Sequence, residues 1–298
     1  MRTPSWISQH WAALRALIVL TVLTGILYPL VITGVAQIPG LKNHADGSLI
    51  KVGNTTVGSS LIGQLFVDDK GDPLVQYFQP RPSAAGDGYD PTSTSASNLG
   101  PENVVDTLPD PANKDDAGTQ SLLTQVCTRS LDVGKLEGVS GARPFCTPAG
   151  VGAVLVVVRH GGTPNGKITA VYSVNEECPT TPFISSYKGV AVQCAQFGTD
   201  YTALGFITPI RGDAPATPAV PADAVTASGS GLDPQISPAY AELQAPRVAR
   251  TRGVDVSVVD TLIKKYTVGR ALGFMGEPGV DVLQLNVALD KQDPYHSS

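Results

Sequence analysis

Charge is scarce in this sequence. Charged residues make up 16% of the 298, against ~25% in ordinary soluble domains, and the remaining balance is acidic, −5 at neutral pH. That balance excludes a nucleic-acid partner, which needs a basic face to displace counterions. Histidine is rare too: His10, His44, His160 and His296 are scattered without a nucleophile beside them. Four cysteines are present, Cys127, Cys146, Cys178 and Cys194, with no C-x-x-C among them and no histidine pair near His160. Zinc-ligand spacing is therefore missing, and no metal site is expected. Nor is there a G-x-S-x-G, because Ser228 stands where the first glycine would precede Ser230. Ser185-x-x-Lys188 begins a penicillin-binding pattern, but no S-D-N or K-T-G follows it. No catalytic residue is assigned, and no tightly bound cofactor is expected.

Against this shortage stands one long apolar run. From Ala16 to Ala36, ALIVLTVLTGILYPLVITGVA carries no charge over 21 residues. A helix of that length spans roughly 30 Å, the hydrocarbon thickness of a bilayer. Gly25 and Pro29 would be costly in a soluble helix and are tolerated in a membrane one. Gly34 and Ala36 have the spacing of a signal-peptide cleavage site before Gln37, but a signal's apolar stretch normally runs only about 7–15 residues. A retained helix is expected: residues 1–15 cytoplasmic, 16–36 in the membrane, 37–298 outside. Lysine and arginine on the two sides do not decide the orientation. The cysteines do, since an even number reads as two disulfides in an oxidising compartment, with three pairings open.

Beyond the helix, residues 41–75 alternate short apolar runs with Gly, Asn and Asp, which predicts strands and tight turns. Tyr77–Pro101 is too rich in Pro, Gly and Ser for a regular element; its aromatics Tyr77, Phe78 and Tyr89 point to an ordered loop. Gly152–His160 and Lys167–Glu176 are β-branched runs separated by GGTPNG, a hairpin. Ala214–Ala224 reads as an extended connector. Ser237-Pro238 starts a helix that Pro246 should break or restart and Gly253 should end. Asp255 caps another helix, and Val280–Asp290, with Leu283, Leu285, Val287 and Leu289 alternating, predicts a half-buried strand. The class is α+β: one N-terminal transmembrane helix, then a mixed extracytoplasmic domain.

Several blocks carry a family resemblance. They are ALRALIVLTVLTGILYPLVITGVAQ, GSSLIGQ (Gly58–Gln64), YFQPRPSAAGDGYD, SNLGP (Ser97–Pro101), TASGSGLDPQISP (Thr226–Pro238) and LGFMGEPGVDVLQLNVALD. In this order they closely resemble the C subunit of Kdp-type potassium-transporting ATPases. The family's usual chain is shorter in the middle, so about 106–215, with every cysteine, looks like an insertion. The resemblance implies an accessory subunit of an ATP-driven potassium uptake pump in the cell membrane. Its implied partners are a potassium-channel-like subunit, a P-type ATPase subunit and a small one-helix subunit. It also implies a chaperone-like role that raises ATP affinity, with ATP contact through the complex at the Gly-rich loop Ser228, Gly229, Ser230, Gly231, Leu232 and Asp233. The residues themselves argue differently: the loop offers backbone N–H groups for an anion nest but has no phosphate-loop lysine. A tight turn used for docking is the plainer reading. A membrane-anchored or secreted serine hydrolase is the alternative outside transport.

Overall fold

The computed structural model describes residues 4–85, 92 and 99–295. Parts of the Pro/Gly/Ser-rich stretch, including Tyr89 and the first residues of the SNLGP block, and His296 lie outside the described residues. The described fold is mixed helix and sheet, and it divides into two compact units, residues 1–61 and 62–298.

The first unit opens on a continuous helix, Ser5–Ala36, with mean hydropathy 2.3 over its most apolar window. It is made of α1 (Ser5–Leu20), a π-helical stretch (Thr21–Leu27) and α2 (Tyr28–Ala36). The helix starts eleven residues before the apolar run, because Trp6, Ile7, Trp11 and Leu14 extend it through polar neighbours. Pro29 explains the π stretch. It cannot donate to the carbonyl four residues back, and its ring crowds that carbonyl, so the preceding turn widens. A short helix α3 (Lys42–Ala45) and the hairpin β1 (Leu49–Val52) and β2 (Thr55–Ser59) complete the unit. Strands were expected over all of 41–75; only this hairpin forms, and 62–75 is irregular, stitched by turns such as Lys70 N–H and Asp72 N–H to Asp68 Oδ1.

Among the described residues the second unit has two sheets. Helix α4 (Leu122–Glu137) begins at Ser121, whose hydroxyl accepts from Thr124 N, and ends at Gly138 in the left-handed conformation. Strands β3 (Val154–Arg159), β4 (Ile168–Glu177), β5 (Ser186–Tyr187), β6 (Val190–Ala195) and β7 (Phe206–Pro209) form a five-stranded sheet in the order β5-β6-β4-β3-β7. The expected hairpin is β3–β4. Alternation along β3 sends Val154 and Val156 into one apolar cluster and Leu155 and Val157 into another on the opposite face. A strand buried on both faces has no room for polar residues, which is why VLVVV reads as one continuous run. Cys127 is joined to Cys146 and Cys178 to Cys194, with Cα separations of 5.4 and 5.1 Å. Both bridges belong to this part of the chain.

The remaining core is built from β8 (Gln235–Ile236), α5 (Pro238–Arg252), α6 (Val256–Lys265), β9 (Thr267–Val268), β10 (Gly279–Asp281) and α7 (Val282–Gln292). Strands β8, β10 and β9 form a small antiparallel sheet. Ser237 and Asp255 cap their helices as expected, accepting from Tyr240 N and Ser257 N, and Gly253 ends α5 at φ 69°. Two expectations are overturned here. Pro246 neither breaks nor restarts α5, which runs through it; Ala241, Gln244, Ala245, Val248 and Ala249 are buried along the helix, and that packing outweighs one lost hydrogen bond. The final run is a helix from Val282, with only Gly279–Asp281 in a strand. Asp281 caps it by accepting from Gln284 N at 2.8 Å. Because α7 is buried on most sides, at Val282, Leu283, Leu285, Asn286, Ala288 and Leu289, its pattern loses the 3.6-residue period and mimics alternation.

Candidate docking site

The Gly-rich loop is not a free nest of N–H groups. Ser228 is buried, and its hydroxyl accepts from Gly231 N at 3.1 Å and Ser230 N at 3.4 Å. Ser230 Oγ in turn accepts from Leu232 N. Ser228 N donates to Pro82 O and Ala84 N donates to Ser228 O, both at 2.7 Å, a one-residue parallel bridge to Ser83. Gly231 holds φ 71°, a left-handed conformation that costs other residues roughly 1–2 kcal/mol. Four of the loop's N–H groups are thus used within the protein, and a phosphate would have to displace them. Asp233 adds a carboxylate, paired to Arg81 Nη1 at 3.1 Å. This is a poor cradle for an anion.

The loop is clamped from its other side by Gly63. Gly63 N donates to Leu232 O, and a Cβ at Gly63 would run into the Asp233 carbonyl and come within 3.2 Å of Gly231 O. Arg81 also reaches Thr226 O at 3.0 Å. Gly63, Arg81 and Ser228–Asp233 come from three separate sequence blocks that converge on one corner.

From that corner the chain leads back into an irregular segment, 75–79, a turn closed by Tyr77 N to Leu74 O and otherwise held by side chains. Asn286 of α7 accepts from Phe78 N (2.9 Å) and donates to Phe78 O (3.0 Å). Gln244 of α5 does the same for Gln79, at 2.7 and 3.1 Å. Arg247 donates to Val75 O and Tyr77 O, and Arg252 to Gln76 O. Phe78 fills the core beneath at 0% exposure. Two amides and two guanidiniums serve backbone groups here that no sheet ladder reaches. No motif in the sequence marks these residues. The available signal was Gln244 and Asn286 sitting on otherwise apolar helix faces, where a buried amide needs a partner.

Arg247 is the hub. Beyond Val75 and Tyr77 it pairs with Glu137 of α4, with Nε 3.1 and 3.0 Å from the two carboxylate oxygens, and donates to Gln244 Oε1 at 2.9 Å. Side-chain exposure is 3% for Arg247 and 0% for Glu137. Burial pushes the Glu137 carboxyl above its ordinary range, against the pull of Arg247. The same negative charge, added to burial, raises the Tyr240 phenol. Arg129 and Arg143 also tie the cysteine-bearing part to the core, through Val225 O and Val220 O.

A family model described as the K+-transporting ATPase c chain matches residues 10–114 and 206–291. The unmatched 115–205 holds α4, β3 to β6 and both disulfides. Potassium-transporting ATPase KdpC subunits are similar throughout. That of Mycobacterium tuberculosis (strain ATCC 25618 / H37Rv) is 34% identical, over 95% of this chain and 98% of its own. The Rhodospirillum rubrum protein is 34% identical over 92% and 91%, and that of Kineococcus radiotolerans 33% over 96% and 95%. The stitched corner, the amide-held segment and the apolar run 16–36 all fall inside the matched stretches, and the chain belongs to the family of K+-transporting ATPase c chains.

Proposed function

We propose that this chain is the accessory, non-catalytic subunit of an ATP-driven potassium uptake pump, and that it holds the potassium-conducting and ATP-hydrolysing subunits together. In this reading the Ser5–Ala36 helix crosses the membrane with the N-terminus in the cytoplasm, and residues 37–298 lie outside. Supporting the topology are the length and hydropathy of the helix and the pairing of all four cysteines, which suits an oxidising compartment. The observation that carries the docking role is the inward use of the N–H groups of Ser228, Ser230, Gly231 and Leu232. A loop so tied presents a fixed shape to a partner and offers little to ATP. A chaperone-like effect on ATP affinity would then act through contacts with the ATPase subunit.

The test is ATPase activity against ATP concentration in purified complexes that contain this chain, either unaltered or as Ser228→Ala/Ser230→Ala. Docking predicts a lower yield of assembled complex with an unchanged apparent KM for ATP. A raised KM in fully assembled complexes would instead assign the loop to nucleotide. Co-purification of the tagged chain from membranes without any P-type ATPase subunit would overturn the reading as a whole.

A further inference from the structure

Between β9 and β10 the chain makes a narrow projection unused by the docking corner. Leu272 is 83% exposed, Phe274 71% and Met275 53%. The projection is tight: Ala271 and Met275 bridge to each other, while Gly273 and Gly276 hold φ 81° and 78°. Leu272 itself sits at φ 54°, an uncommon conformation for a γ-branched residue. The short turn cannot fold its apolar side chains back on the domain, so they point outward. From residue 264 to 277 the charges are Lys264, Lys265, Arg270 and Glu277, a local excess of two positives in a chain of net −5. Both lysines are exposed.

We infer that this tip, Leu272, Phe274 and Met275, docks into the surface of an anionic bilayer, with Lys264 and Lys265 facing the headgroups. An apolar tip with a basic flank is complementary to that surface in both of its parts, the acyl boundary and the negative headgroups. A helix fixed in the bilayer keeps the rest of the chain at high effective concentration near lipid, so three apolar side chains suffice where a free domain would need more. The inference rests on the proposed membrane crossing of Ser5–Ala36.

The full chain, labelled with an environment-sensitive fluorophore at Ala271→Cys, is reconstituted into lipid nanodiscs of phosphatidylcholine with or without phosphatidylglycerol. The native cysteines are all paired, so labelling is specific. Nitroxide-bearing lipid should quench the tip, more strongly with phosphatidylglycerol, and should spare a label at Thr163→Cys in the β3–β4 turn. Leu272→Asp/Phe274→Asp should abolish the quenching without lowering the melting temperature. Lys264→Gln and Lys265→Gln should each lower the docked-to-free ratio about fivefold. Absence of quenching in both lipids would overturn the inference. Shielding that appears only when the other pump subunits are added would assign the tip to a protein groove and overturn it equally. Failure of the chain to remain with the discs would instead refute the membrane crossing.

Discussion

Replacing Arg247 with methionine should be the most damaging single change in the domain. The substitution keeps most of the aliphatic stem and removes a guanidinium that serves Glu137, Val75 O, Tyr77 O and Gln244. Breaking a buried ion pair from one side costs about 3–5 kcal/mol, because the other charge stays buried. Two stranded carbonyls add about 1–3 kcal/mol each where water does not reach them. For a unit of this size each kcal/mol lowers the melting temperature by ~2–4 °C, so a fall of at least ~10 °C is expected. The loss should depend on pH. Arg247 is what pulls the Glu137 carboxyl down against burial; without it the folded-state carboxyl rises further. A carboxyl raised above its unfolded value contributes stability that is complete below the unfolded value and is lost as pH rises through the folded one. Arg247→Met should therefore lose least in mild acid, where Glu137 is protonated, and most at neutral pH. In the double variant with Glu137→Leu, the buried charge is gone but Val75 and Tyr77 remain unserved, so rescue should be partial. The assay is thermal unfolding of the detergent-solubilised chain across the carboxylate range, with Lys135→Met on the surface of α4 as control. A penalty equal to the control's, or one unchanged between mild acid and neutrality, would refute the reasoning.

Other outcomes follow from the same geometry. Asn286→Ala should leave Phe78 N and O unpaired in the core and cost about 2–4 kcal/mol, measurable by denaturant unfolding; a change within ~0.5 kcal/mol would show that the segment is held by other means. Gly63→Ala should loosen the Gly-rich loop, because its Cβ meets loop backbone; limited proteolysis should then cut near 228–233, and an unaltered digest would count against the clamp. Alkylation of the unreduced, denatured chain should label no cysteine, and replacing Cys127 and Cys146 together with serine should cost roughly 3 kcal/mol; labelling of all four would remove both bridges. Membrane-extracted protein should have the intact mass of a chain starting at or near Met1, and a start at Gln37 would show the helix to be a cleaved signal.

What the sequence reveals here depends on whether local chemistry and tertiary burial agree. The β3–β4 hairpin is legible because β-branched runs and GGTPNG demand the same thing. Ser237-Pro238, Gly253 and Asp255 mark helix ends by chemistry that packing does not alter. The final helix is misread because burial on most sides erases its period, although Asp281 and Gln284 have the spacing of a capping box. Pro246 misleads for the opposite reason: its local cost is real but small beside the burial of α5. The sequence hides helix α4, whose buried face is diluted by Thr124, Ser130 and Gly134. The candidate loop is visible as SGSGLD, but the bonds that anchor it, Ser228 N to Pro82 O and Gly63 N to Leu232 O, are not, since Pro82 and Gly63 lie far away in sequence.

The Glu137–Arg247 pair bears on how such a chain could change length. Glu137 lies in the stretch outside the family match and Arg247 inside it. Excising 115–205 would do more than shorten the molecule: it would abandon a cation in the interior. The 115–205 stretch is in this sense entrenched. Its loss would require a second event, either a neutral residue at 247 or a new acid from elsewhere, and a route that changed one of these at a time would pass through an intermediate less fit to fold.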